Sequence, residues 1–212
     1  MKTLVVGCDA SGKSSFMQGV YEAWGDAYDE STRSEEATAF RVANHKRIID
    51  AEYVELRESL YLKLSHQALL AMAQSETGVV TPDSSLVTRV SHSVMRRVIG
   101  EPYLDNIGII EEWQADEARA DADAPDMIVL THAPFSTIRS RIVARQDAGD
   151  ALESFWGFNS PTFLEAYQER WKTVLRDLAQ QSYVCLAINT SETSPEDGLR
   201  QYAAIRESVA LV

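Results

Sequence analysis

A short run near the start of the chain has the residue types and spacing of an anion cradle. Gly7 is followed, after Cys8, Asp9, Ala10 and Ser11, by Gly12-Lys13-Ser14, which is G-x-x-x-x-G-K-[ST]. The glycines allow the backbone to wrap tightly enough for successive N–H groups to face one phosphate oxygen. A helix opening at Lys13 turns its positive end toward the same anion. Lys13 is then expected to reach the β- and γ-phosphates, and the Ser14 hydroxyl to ligate Mg²⁺. The stretch from Gly7 to Ser15 is the expected binding site for ATP. The bland reading is a glycine-rich turn that binds nothing. Against it stands the context: Thr3-Leu4-Val5-Val6 is a β-prone apolar run before the loop, and Ser15-Phe16-Met17-Gln18 suits a helix after it.

The rest of the chain supplies the frame for that loop. Phe16, Val20 and Trp24 recur at helical spacing, and Gly25 stops the helix. The polar stretch 26–33 is expected to hold a weak second strand ending near Arg33. Apolar stripes from Phe40 to Leu70 predict two helices with a break near Asp50. Val79-Val80-Thr81 reads as a buried strand closed by Pro82-Asp83, after which Ser84 or Ser85 caps a helix to about Ile99. Pro102 is expected to start a helix reaching Ala120. Met127 to Leu130 is a third buried run, Pro134 opens a helix bearing Arg139, Arg141 and Arg145, and 147–160 reads as a mobile loop. A helix over 161–181, a strand over 183–188 and a helix from Pro195 to about Ser208 complete the pattern. Strands that are continuous apolar runs, alternating with helices, predict an α/β fold with a doubly wound parallel sheet of five strands. One domain over residues 1–212 is expected, with a lid at about 139–160. Ligands in such sheets sit beyond the carboxyl ends of the strands. The positions that matter are therefore 7–14, the surroundings of Arg33 and Asp83, and Thr131 to Pro134.

Charge and cysteines narrow the partners. The 212 residues carry 32 acidic and 20 basic side chains, a net charge of −12, which repels nucleic acid and anionic membranes. A nucleotide is still accommodated, because a phosphate site is built from local N–H groups and a few cations. Cys8 and Cys185 lack metal-ligand spacing, and a reducing cytoplasm suits them best. No leader peptide and no membrane-spanning run is expected. Among phosphate-loop chemistries, a GTPase is disfavoured because Asn189-Thr190 is followed by no Lys-x-Asp. A motor ATPase is disfavoured because the strand at 127–130 ends in Thr131-His132 rather than in a carboxylate. Small-molecule phosphoryl transfer remains.

In order and spacing the sequence resembles a thymidylate kinase-type deoxynucleotide kinase. The resemblance is carried by Asp9 in the loop, DESTRSEE at 29–36, GVVTPDSS at 78–85, APFSTIRSRIVARQ at 133–146, and the closing segments FLEAYQERWKTVLRDLAQ and YVCLAINTSETSPED. It implies a P-loop NTPase fold, ATP with Mg²⁺, a deoxynucleoside monophosphate as acceptor, and a dimer of packed helices. It places Asp9 near the acceptor sugar and makes Arg33 the candidate for the acceptor phosphate. Arg141 and Arg145 fall in the R-x-x-x-R places of the lid. Because Ala10 is no arginine, one of the lid arginines is expected to bring the transition-state charge, with Arg139 as the one most in keeping with a solvated face.

The acceptor side departs from that family. Asp83 is either a carboxylate for Mg²⁺ or the acceptor, or the N-cap of the next helix. It is followed by Ser84-Ser85 where the family has arginine, and Arg89 is the candidate substitute. The base-pocket arginine has no counterpart, with His66 or Gln67 in its neighbourhood. Two alternatives follow: a kinase of hydroxymethylated pyrimidines, as nucleotides or within DNA, and a nucleotide-binding regulatory protein without turnover.

Overall fold

Alternation along the central strands decides which helices cover which face. The computed structural model describes residues 1–28, 39–40, 43, 51–74, 78–82, 84–120, 124–149 and 161–209. Five parallel strands form one sheet: β1 (Lys2–Val6), β2 (Ala27–Tyr28), β3 (Val79–Thr81), β4 (Met127–His132) and β5 (Cys185–Asn189), in the spatial order β2-β3-β1-β4-β5. Four are full strands; β2 is a two-residue edge strand. The register between the central pair runs Leu4 with Ile128, Val5 with Val129 and Val6 with Leu130. Side chains of adjacent residues in a strand point to opposite faces. Val5, Met127 and Val129 accordingly pack with Phe16, Met17 and Val20 of α1 (Lys13–Trp24) and Tyr202 of α7 (Pro195–Val209). Leu4, Val6, Ile128 and Leu130 face the other way, onto a larger core.

That second core is built from α2 (Ala51–Gln74), α3 (Ser85–Val98), α4 (Asn106–Ala120), α5 (Phe135–Asp147) and α6 (Pro161–Gln180), with Trp113 and Trp171 fully buried in it. The seam between α2 and α3 is polar. Ser65 meets Thr88 at 3.0 Å, Arg57 meets His92 at 3.0 Å, and Arg96 donates to Glu58 at 3.0 Å. From Ser65–Thr88 to Glu58–Arg96 the contacts descend α2 while they climb α3, so the two helices run antiparallel. On the α1 side, Asp26 is buried and paired with Arg206 of α7, which also lies over the Trp24 ring.

Most element boundaries match the sequence pattern. Ser84 is the N-cap of α3, its side chain accepting from Leu86 N at 3.1 Å. The expected start of α4 at Pro102 is corrected: the helix begins at Asn106, where Asp105 Oδ1 accepts from Gly108 N at 2.8 Å. A side-chain acceptor for the first free N–H groups outweighs the fixed φ of an upstream proline. The strand expected over 183–188 runs over Cys185–Asn189. The expected break near Asp50, most of the polar stretch before it, and 150–160 of the expected lid lie outside the described residues. No described helix is long and apolar enough to cross a membrane.

Candidate donor-phosphate site

The loop leaves the central strand β1 and enters α1 with three residues at positive φ: Gly7 at 145°, Ala10 at 58° and Gly12 at 98°. Glycine is required at the first. A Cβ on Gly7 would collide with the Thr131 carbonyl oxygen of β4. Gly12 is the N-cap of α1, and Phe16 N donates to its carbonyl at 3.0 Å. Ala10 holds a conformation that costs an L-residue about 1–2 kcal/mol, so neighbouring contacts must stabilise it. A turn closed by Ser11 N to Cys8 O at 3.2 Å gives the loop its curvature.

Lys13 Nζ lies back across the loop, donating to Gly7 O at 2.9 Å and Cys8 O at 2.8 Å. This holds the ammonium at the cradle's mouth. Ser14 and Ser15, in the first turn of α1, are exposed residues, at the end of the helix where the first N–H groups have no intrahelical partner. Ser11 is fully buried, its Oγ sharing a 2.8 Å hydrogen bond with Thr131 Oγ1. The loop is thus pinned to β4 from below and open above.

A second set of contacts grips the loop's carbonyls. Arg141 of α5 donates to Ala10 O at 3.0 Å and to Thr190 Oγ1 and O at 2.9 and 3.0 Å. The Thr190 hydroxyl points at Ser11 O at 2.9 Å, with His132 O at 3.2 Å. Thr190 was legible in the sequence only as part of a failed guanine-recognition motif. Its position just after β5, next to the strand that follows the loop's own neighbour, is what makes it a contact.

Asp9 lies close enough to the buried Tyr167 hydroxyl and the Cys8 thiol for its charge to push both toward their neutral forms, though burial is the larger cause for each. Burial drives Cys8 up to about 11, against the pull of Lys13. The thiol therefore stays neutral and puts no negative charge beside a bound phosphate. Gln168 of α6 joins this wall to β4: its Oε1 accepts from Ala133 N at 3.4 Å and from Cys8 Sγ at 3.8 Å. Arg57 is a residue the sequence reading missed. It donates to His92 Nε2 and to Ser91 Oγ at 3.2 Å, and stacks 4.5 Å over Tyr61. His92 Nδ1–H in turn donates to Thr88 O at 2.7 Å, which leaves Nε2 as the acceptor. Burial first, and Arg57 second, hold His92 well below the usual imidazole range.

Asp83 and Arg33 lie outside the described residues. Arg89 is gripped by Asp116 at 3.1 Å through two nitrogens and by Glu112 at 3.2 Å, which ties α3 to α4. An arginine one turn into α3 faces two carboxylates across that helix pair, and a two-pronged ion pair of this kind is strong and directional. His66 is exposed. Of the arginines on α5, Arg139 and Arg145 are exposed and Arg141 is half-buried against the loop.

No protein-family model and no curated protein sequence matches the chain. Its fold does have solved counterparts. A deoxyadenosine kinase from M. mycoides with bound dATP superposes with a TM-score of 0.70 at 12% identity. The same kinase with products dCMP and a flexible dCDP gives 0.74 at 13%, and with dCTP 0.65 at 11%. Each match covers 98% of this chain and 100% of that one. At such identities the likeness establishes the fold alone, an α/β fold with a parallel sheet flanked by helices. The thymidylate kinase-type resemblance and these structures share that fold as common ground.

Proposed function

We propose that the chain is an ATP-dependent kinase that transfers the γ-phosphoryl group to the 5′-oxygen of a deoxynucleoside. The observation that carries this reading is the loop between β1 and α1, with Gly7 and Gly12 at positive φ and Lys13 Nζ within 3 Å of two loop carbonyls. Such an arrangement of backbone N–H groups, a helix start and a lysine is suited to a chain of phosphates. Phosphoryl transfer asks the protein for in-line positioning and for positive charge rather than covalent chemistry. Lys13 and the α1 N–H groups supply both for the donor. The exposed Ser14 hydroxyl fits a magnesium ion shared with the phosphates, an oxygen-seeking ion that keeps much of its water. When bound, such an ion neutralises charge on the phosphate oxygens. Arg145, exposed one turn after Arg141 on α5, is the candidate for charge on the group in flight.

The residue after Asp83 is Ser84, whose hydroxyl is used as a helix cap, and Arg89 is engaged by Asp116 and Glu112. An acceptor without a phosphate needs neither cation, and the kinase whose fold this chain shares acts, by its name, on a nucleoside. A monophosphate acceptor is the second reading, resting on Arg33. In this reading Asp9 would be the carboxylate toward the acceptor sugar, the role that the family resemblance implies for it. A screen of ATP with deoxynucleosides, deoxynucleoside monophosphates and hydroxymethylpyrimidine DNA, read as ADP release, tests the reading. Release with nucleosides supports it, release with monophosphates or DNA alone moves the acceptor, and none favours the regulatory alternative.

A further inference from the structure

We infer that Thr190 and Arg141 are positioning residues for the phosphate loop, holding its Ser11–Gly12 peptide in the orientation that donates to an anion. The inference rests on the donor-site reading above and goes beyond it by assigning a role to the segment after β5. A trans peptide sets its carbonyl and its N–H on opposite sides. With Ser11 O held by the Thr190 hydroxyl at 2.9 Å, the N–H of Gly12 is turned away from Thr190 and into the loop. Peptides beside a glycine at positive φ reorient at little steric cost, and Gly12 sits at 98°. Something must therefore hold this one. Arg141 holds the preceding carbonyl, Ala10 O, at 3.0 Å, and steadies the Thr190 hydroxyl by donating to it at 2.9 Å. Its fork reaches three acceptors, which a lysine cannot copy. The Thr190 methyl adds a steric stop: a Cβ on Gly12 would lie 3.1 Å from Cγ2.

The test is titration calorimetry of the full chain with Mg·ATP and, separately, with Mg·pyrophosphate, for the wild type and for Thr190→Val, Thr190→Ser and Arg141→Lys, with Tm recorded for each. Thr190→Val keeps shape and removes the hydroxyl. It is expected to weaken both ligands in parallel by about tenfold, the worth of one well-placed hydrogen bond, while Tm stays close to that of the wild type. Thr190→Ser restores the affinity, and Arg141→Lys weakens both ligands again. Equal affinity in Thr190→Val and wild type overturns the inference. So does a loss for ATP with none for pyrophosphate, which would make Thr190 a contact to the nucleoside part. If the valine variant does not fold, the serine and lysine variants decide: Arg141→Lys binding as tightly as wild type overturns it. A wild type that binds neither ligand is a different failure, that of the donor-site reading itself.

Discussion

Arg141 Nη1 and Thr190 Oγ1 lie 2.9 Å apart, although 49 residues separate them in the chain. The contact closes a ring from α5, through the end of β5, to the carbonyls of the loop after β1. A lid-helix arginine thus grips the loop from its carbonyl side. Its guanidinium is engaged there, while Lys13 Nζ bonds to the Gly7 and Cys8 carbonyls of the same loop.

Lys13→Ala is expected to cut ATP-dependent phosphorylation by about 10²–10³-fold or more, the usual effect of deleting one preorganised charge-stabilising donor. The fold should persist, because Lys13 Nζ bonds only to loop carbonyls. Circular dichroism beside a coupled ADP assay checks both halves. Wild-type turnover in the variant would remove Lys13 from the chemistry.

Arg145→Ala is expected to lower kcat while leaving the Kd for ATP nearly unchanged, since a charge used on the phosphoryl group in flight acts mainly in the transition state. Steady-state kinetics alongside direct binding separates the two. A variant that loses ATP affinity and keeps kcat would make Arg145 a ground-state contact instead.

Glu117 of α4 is buried, and burial, with Asp116 beside it, pushes its carboxyl up to about 8. The folded chain therefore holds a proton that the unfolded chain releases near pH 4.5. The stability tied to this group is full below that pH and is lost as pH rises toward about 8. Glu117→Gln should be more stable than wild type by about 2 kcal/mol or more near pH 7.5, at roughly 1.4 kcal/mol per unit of the window. The difference should vanish below pH 4.5. Urea unfolding at several pH values reads it, and a pH-independent difference would contradict the assignment.

His92 predicts the opposite slope. Its folded form stays neutral well below the usual imidazole range, so the unfolded chain takes up a proton first as pH falls through about 6.5. Stability tied to His92 is present above that pH and lost below it. Wild type should lose Tm between pH 6.5 and 5 with a slope that His92→Asn lacks. Matching slopes would mean that His92 is charged in the fold.

The donor half was readable because its parts are contiguous. The glycines, Lys13 and Ser14 sit within one turn and one helix start, and the apolar runs at 3–6, 79–81 and 127–130 sit where β1, β3 and β4 form. The capping hydroxyl of Ser84 was readable for the same reason. What stayed hidden depends on tertiary partners. Arg89 carries no local mark telling an ion pair with Asp116 from a substrate contact. Thr190 touches the loop only because β5 lies beside β4, and Arg57 meets His92 only because α2 and α3 run antiparallel. The helix start at Asn106 was missed when Pro102 was weighted above the capping carboxylate of Asp105.

The most direct test of the central claim mixes the chain with Mg·ATP and a deoxynucleoside panel and separates the products by anion-exchange chromatography. The account predicts ADP and a deoxynucleoside 5′-monophosphate formed in equal amounts by the wild type, and neither by Lys13→Ala. No phosphorylated acceptor from any nucleoside or nucleotide, or the same yield from Lys13→Ala, would contradict it.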